Sequence, residues 1–241
     1  ASGGRNPTTV VKVLGEVCDD PAAGVAEDDR LLTRTAQDGV PRLRLWYNPH
    51  CIVLGRGYAR RLPRPVSHVG GLPVLVRSSG GEIVLHGPGV LNISLAVPAV
   101  LWNGSIEEMF RAFSAGVADA LRAHGYAVGV GMVPGSYCPG DYDVAIAGRK
   151  VMGISQRRTR EALMVHGSLN LHVIPEIYAY VLDRFYAAAG IENTAPRPQR
   201  QPRRHPGKPA DLGDRVFPVE AGPRRELAAV AILPGIAGGQ R

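Results

Sequence analysis

The sequence lacks paired cysteines: Cys18, Cys51 and Cys138 are odd in number, widely spaced and without a Cys-x-x-Cys. No disulfide framework or zinc-ligand spacing is present, so no metal site is expected and any special cysteine is special as a thiol. Also missing are an apolar run long enough to span a bilayer, an internal repeat and a Gly-x-x-x-x-Gly-Lys-Ser/Thr, which sets aside a membrane role and a P-loop. The first residues, Ala-Ser-Gly-Gly-Arg, do not show the basic-then-apolar pattern of a signal peptide, and a cytoplasmic location is the resulting expectation.

What is present is a chain of 241 residues, 45% hydrophobic, enough for one large domain with an appendage. The formal charge of +7 invites a nucleic-acid reading, but from Ala195 to Arg241 there are nine Lys and Arg against four Asp and Glu, so +5 of it belongs to the tail. The body is nearly neutral, and nucleic acid is not the expected partner. Proline and arginine interleave from about Ala195 to Pro209, a composition that disfavours packing. The expected division is a catalytic domain over residues 1–194 and a linker with a basic tail over 195–241, in which Leu227 to Ile236 is a weak apolar segment.

Patterning gives a strand over residues 10–17, a helix from Ala22 to Gln37 closed by Gly39, and two paired strands, Arg42 to Tyr47 and Cys51 to Leu54, joined through Asn48-Pro49-His50. Gly55-Arg56-Gly57-Tyr58 breaks the pattern. Strands Leu72 to Arg77, Ile83 to Leu85 and Leu91 to Val97 continue the same sheet. Ser105 and Glu108 form a capping-box pair for a helix to His124, with Ile106, Met109, Phe110, Phe113, Val117 and Leu121 at helical spacing. Further strands are expected over Tyr126 to Val133 and Ala162 to Val173, a hairpin over Asp143 to Ile146 and Val151 to Ser155, and a helix over Pro175 to Ala189.

Two cationic glycine hairpins stand out in this neutral body. In Arg77-Ser78-Ser79-Gly80-Gly81 the glycines let backbone amides approach a ligand and the arginine adds a planar charged fork, a combination suited to an anion. In Gly148-Arg149-Lys150-Val151-Met152-Gly153-Ile154-Ser155-Gln156 a lysine opens a strand, where the pleat can aim its ammonium at one face of a sheet.

These motifs, with Val84-Leu85-His86, Leu91-Asn92-Ile93-Ser94, Asp143 seven residues before Lys150, and His166-Gly167-Ser168-Leu169, resemble in order those of the lipoate-protein ligase family, over roughly Ala22 to Val173. The resemblance implies an α+β fold, a mixed and largely antiparallel sheet flanked by helices, shared with biotin ligases and octanoyltransferases. It implies activation of lipoate or octanoate with ATP and Mg²⁺ to an acyl-adenylate, followed by transfer to a lysine of a lipoyl carrier domain. Lys150 would hold the acyl carbonyl and phosphate, and Arg77 with Ser79, Gly80 and Gly81 the phosphate and carboxylate. Asp143 would lie near the adenylate, His86 and His166 would line the pocket, and Asn92, Gly153, Ser155 and Gly167 complete the binding set.

Three residues depart from the family pattern: Glu82 stands for a third glycine, Gly87 for an aspartate after His86, and Tyr142 for an asparagine. His86-Gly87-Pro88-Gly89 looks more like the octanoyltransferase branch, and Cys138 lies where related cysteine-dependent transferases keep their nucleophile. The leading expectation is therefore the ATP-dependent ligase. Its alternatives are a Cys138 thioester transferase that takes octanoyl or lipoyl groups from an acyl carrier protein or a lipoyl protein, and a non-catalytic lipoate- or carrier-binding module.

Overall fold

The computed structural model describes residues 11–173 and 175–192; the expected linker and the segment Leu227 to Ile236 lie outside them. In order the chain forms β1 (Lys12–Val17), α1 (Pro21–Asp38), β2 (Arg42–Tyr47), β3 (Cys51–Gly55), α2 (Arg56–Arg61), β4 (His68–Val69), β5 (Leu72–Arg77) and β6 (Ile83–His86). There follow β7 (Val90–Pro98), α3 (Ile106–Ala123), β8 (Val128–Val130), β9 (Val144–Ile146), β10 (Arg149–Arg158), β11 (Ala162–Asn170) and α4 (Pro175–Ala189). The fold is α+β and its strands are mixed but largely antiparallel, as expected. They make two sheets, however, ordered β1-β2-β7-β11-β10-β9-β8 and β4-β5-β3-β6.

The expected pairing of β2 with β3 is therefore corrected. Asn48-Pro49-His50 carries the chain from the larger sheet to the smaller one, where β3 lies between β5 (parallel) and β6 (antiparallel). Every residue of β3 is buried, which is what its unbroken apolar run means: both faces are covered. Gly87-Pro88-Gly89 returns the chain to the larger sheet, so β6 and β7 do not continue one another. The amides of Leu171 and His172 both donate to the Gly89 carbonyl, at 2.9 and 3.0 Å. A Cβ at Gly89 would collide with the His172 carbonyl, so glycine is required there.

Alternation along β7 sorts the larger sheet. Ile93, Leu95 and Val97 pack with Leu43, Val165 and Met152 against Met109, Phe113 and Val117 of α3. Asn92 and Ser94 point the other way. On the smaller sheet, Ile52, Leu54 and Leu85 meet Tyr178, Leu182 and Phe185 of α4. A polar face of one sheet thus looks toward the inner face of the other.

The helix ends follow the sequence. Asp20 accepts the Ala23 amide at 2.6 Å and Gly39 ends α1 at φ 71°, while Ser105 and Glu108 close the capping box of α3. Helix α2 begins where a break was expected. It has no side-chain cap, and its entry is fixed by tertiary contacts instead: the Arg56 amide donates to Ser79 O (3.1 Å) and the Gly55 amide to Glu82 O (2.7 Å). A Cβ at Gly55 would run into the Gly80 and Gly81 carbonyls, both backbone atoms. Gly55→Ala is expected to destabilise the domain by about 1–3 kcal/mol, as overpacking does, and urea unfolding measures it. Two of the expected strands are also shorter than predicted, Val128–Val130 and Ala162–Asn170, because glycines and the turn at Leu171 end their pairing.

Candidate active site

Between the two sheets lies a cavity of about 250 Å³. Val25, Val53, Ile83, Val84 and Trp46 give it an apolar wall. The larger sheet supplies two cross-strand rows on its inner face, Ser155–His166–Ser94–Arg44 and Gly153–Ser168–Asn92–Trp46. Three of the sequence motifs, with β2 beside them, converge here because register places them opposite one another.

Lys150 reaches this face through an irregularity. Strict alternation would put it on the side of Met152, toward α3, but the register shifts between Lys150 and Met152. The bulge turns the ammonium to the side of Gly153, where a Cβ would lie 3.2 Å from Lys150 Nζ. Nζ pairs with Asp143 Oδ2 at 2.9 Å and donates to the carbonyls of Cys138 (2.6 Å) and Tyr137 (3.3 Å). Both charged side chains are nearly fully buried, at 5% and 3% exposed. Burial is the largest influence on Asp143 and raises its carboxyl, against Lys150 and the Gly140 amide, which pull it down. An ammonium has three protons, and here each has an acceptor. Lys150, expected to hold an acyl carbonyl and phosphate, is in the free protein bonded to the loop that carries Cys138.

That loop bends sharply at the cysteine, which adopts φ 44°, a left-handed conformation that costs a non-glycine residue free energy. Tyr178 of α4 anchors the preceding residue, its hydroxyl 3.0 Å from that of Tyr137. Cys138 lines the cavity, and its carbonyl is held by the Lys150 ammonium at 2.6 Å. Burial pushes the thiol upward; the Glu82 amide, Lys150 and Arg77 pull the other way without overcoming it. The two cations do act on this thiol, but burial and the Glu82 carboxylate outweigh them in the free protein. Cys51 is pushed up to about 12 by burial, which suits a structural residue. Cys18 lies against Glu16 and Arg44, outside the cavity lining.

The first cationic hairpin is also internally satisfied. Arg77 lines the cavity, yet its Nε and Nη2 donate to the Gly80 carbonyl at 3.1 and 2.9 Å, so the expected phosphate fork closes on its own loop. Gly81, at φ 79°, lines the cavity; Gly80 and Ser79 are not part of its wall. Ser79 Oγ instead lies 2.7 Å from Nε2 of His166, whose Nδ1 is 3.1 Å from Asp28 Oδ2. Asp28 also accepts from Arg44 (2.7 Å) and Ser94 (2.9 Å), and His166, Arg44 and their hydrogen bonds hold its carboxyl below the usual range despite burial. Asp28 was not among the expected site residues. Helical phase was the available signal, since it lies three residues from both Val25 and Leu31 on the inward face of α1.

His86 sits beneath, edge-on to Trp46, with Asn48 and Ser168 each 3.4 Å from a ring nitrogen. Ser168 donates to Asn92 Oδ1 at 2.7 Å. Burial first, then the positive charge of Arg77, lowers His86 from 6.5 to about 3. The unfolded chain therefore takes up this proton near pH 6.5 and the folded protein does not until about pH 3. Stability from this residue is complete above 6.5 and declines by about 1.4 kcal/mol per unit as pH falls from 6 toward 3. Denaturant unfolding at pH 7, 6 and 5 should show that slope, and His86→Gln should flatten it.

The model of the lipoyl protein ligase A/B catalytic domain matches residues 20–198. The chain belongs to that family. Among curated relatives of this domain, the octanoyl-[GcvH]:protein N-octanoyltransferase of Kyrpidia tusciae is 39% identical over 176 residues, 67% of this chain and 61% of the relative. That of Exiguobacterium sibiricum is 38% identical over 169 residues, 68% of this chain and 61% of the relative. The family domain here thus spans about three fifths of the length of those proteins. Lipoate-protein ligase A bound with ATP shares its fold at TM-score 0.59 and 20% identity, over 76% of this chain and 74% of that one. So does the bi-partite lipoate protein ligase of Thermoplasma acidophilum, at 0.56 and 21%, over 77% and 75%. Among the described residues, no helix is long and apolar enough to cross a membrane.

Proposed function

We propose that this protein moves octanoyl groups between carrier-domain lysines through a thioester on Cys138, and that it does so without ATP. The observation that carries the reading is the placement of Cys138: a thiol in the cavity wall, on a strained turn whose carbonyl is held by Lys150. The octanoyltransferase names of the relatives support the same chemistry. Sulfur attacks the acyl carbonyl carbon of an octanoylated donor, the carbon–nitrogen bond breaks, and the thiol proton leaves with the donor lysine. The amine of an acceptor lysine then attacks the thioester, gives up a proton and restores the thiol. The apolar wall of Val25, Val53, Ile83 and Val84 receives the hydrocarbon chain.

The adenylate reading receives less support from the same residues. A phosphate needs free donors, whereas Lys150 and the Nε and Nη2 of Arg77 are engaged by protein acceptors, and Glu82 brings a carboxylate to the glycine loop. The lipoyl carrier domain expected from the sequence is the proposed acceptor, and an octanoylated protein of the same kind is preferred to acyl carrier protein as donor. The test is transfer to an apo lipoyl domain, comparing an octanoylated lipoyl-type protein without nucleotide against free octanoate or lipoate with ATP and Mg²⁺. Product in the first mixture is expected; product in the second mixture alone would return the protein to the ligases.

Because the thiol is raised and the described imidazoles and lysine of the cavity all have protein partners, His86 those at 3.4 Å, kcat/KM should climb with pH. His166 has both ring nitrogens engaged, and Lys150 has no lone pair to offer while it holds three bonds. A rise of about tenfold per unit through the neutral range is expected from initial rates at low donor concentration.

A further inference from the structure

Among the polar side chains lining the cavity, Ser155 and Asn92 each carry a buried donor without a partner, Oγ and Nδ2, and of the two it is the Ser155 hydroxyl that faces the glycine loop of residues 80 and 81. Its residue is 6% exposed, and its Oγ is fully buried without a hydrogen bond. Buried hydroxyls are almost always satisfied, and one left open toward a cavity wall costs stability in the resting protein. The neighbours explain why it stays open. His166, its cross-strand partner, is already bonded on both ring nitrogens. The loop it faces turns glycines toward it: a Cβ at Gly80 or Gly81 would lie 3.8 or 3.9 Å from Ser155 Oγ.

Gly81 of that loop, Ser155 and Cys138 line the same cavity. A carbonyl attached to the Cys138 sulfur needs a donor for its oxygen as negative charge builds during attack. Lys150 has spent its three protons on Asp143, Cys138 and Tyr137, and Arg77 turns its Nε and Nη2 toward Gly80. We infer that the Ser155 hydroxyl is the side-chain donor to the acyl carbonyl oxygen in the transition state for acylation of Cys138. The inference rests on the thioester reading and adds a catalytic residue to it. It also makes sense of an otherwise wasteful hydroxyl, since a donor kept free and fixed between the two sheets needs no reorganisation when the charge appears.

Ser155→Ala removes an atom that bonds nothing in the free protein, so the thermal midpoint should stay level or rise. Single-turnover acylation of Cys138 by an octanoylated lipoyl-type protein, followed by intact mass, should slow about 10²- to 10³-fold. Acylation of the variant at the wild-type rate would overturn the inference and leave the thioester reading standing. A clearly lowered midpoint would also overturn it, because the hydroxyl would then be holding the fold. Failure of the wild-type protein to acylate Cys138 at all would remove the thioester reading and this inference together.

Discussion

Replacing Cys138 by serine should lower octanoyl transfer by at least about 10³-fold while leaving the cavity intact. The substitution changes one atom. A serine hydroxyl is far less acidic than a thiol, and nothing here is placed to take its proton: Lys150 is saturated and His166 is held between Asp28 and Ser79. Lys150 holds the carbonyls of residues 137 and 138 whatever the side chain at 138, so the left-handed turn ought to persist and the thermal midpoint should stay close to that of the parent. Initial rates with an octanoylated donor, set beside the two unfolding curves, separate lost chemistry from lost structure. A variant that keeps more than a tenth of the activity would mean that no covalent step passes through this residue.

The second large effect concerns Lys150, and it falls on stability as well as rate. Lys150→Met removes the partner of a carboxylate that is 3% exposed and frees the carbonyls of Cys138 and Tyr137. Breaking a buried pair on one side typically costs about 3–5 kcal/mol, lessened here to the extent that Asp143 takes up a proton, which its burial already favours. Transfer should fall about 10²-fold or more, because the loop no longer fixes the thiol opposite the acyl pocket. The double variant Lys150→Met with Asp143→Leu should recover much of the stability and little of the activity. Urea unfolding of the two variants and the parent tests this, and equal stability of parent and Lys150→Met would show that the pair does not hold the loop.

The sequence made the two ends of this account legible and left the middle hidden. Capping signals at Ser105 and Gly39 and the 3.6-residue spacing of α3 placed helices correctly, because those signals are local. The motif order located the residues of the cavity, Cys138, Asp143, Lys150 and His166 among them. Hidden were the facts that depend on contacts distant in sequence. Period-two alternation cannot reveal that β2 and β3 belong to different sheets, since either sheet satisfies it. A bulge after Lys150 depends on pairing with β9, and the start of α2 depends on carbonyls from residues 79 and 82. Asp28, too, is the buried acceptor that ties His166 to Arg44 only through partners far away in sequence. Residue types likewise promised free cations, and in the fold Lys150 and Arg77 are paired with protein acceptors.

The most direct measurement of the central claim is intact mass of the protein after incubation with an octanoylated lipoyl-type donor, with no nucleotide and no acceptor present. The account predicts one octanoyl adduct, located on Cys138 by peptide mapping, labile to hydroxylamine and discharged when an apo lipoyl domain is added. An unmodified Cys138 under those conditions, together with transfer that appears only when ATP and Mg²⁺ are supplied, would contradict it.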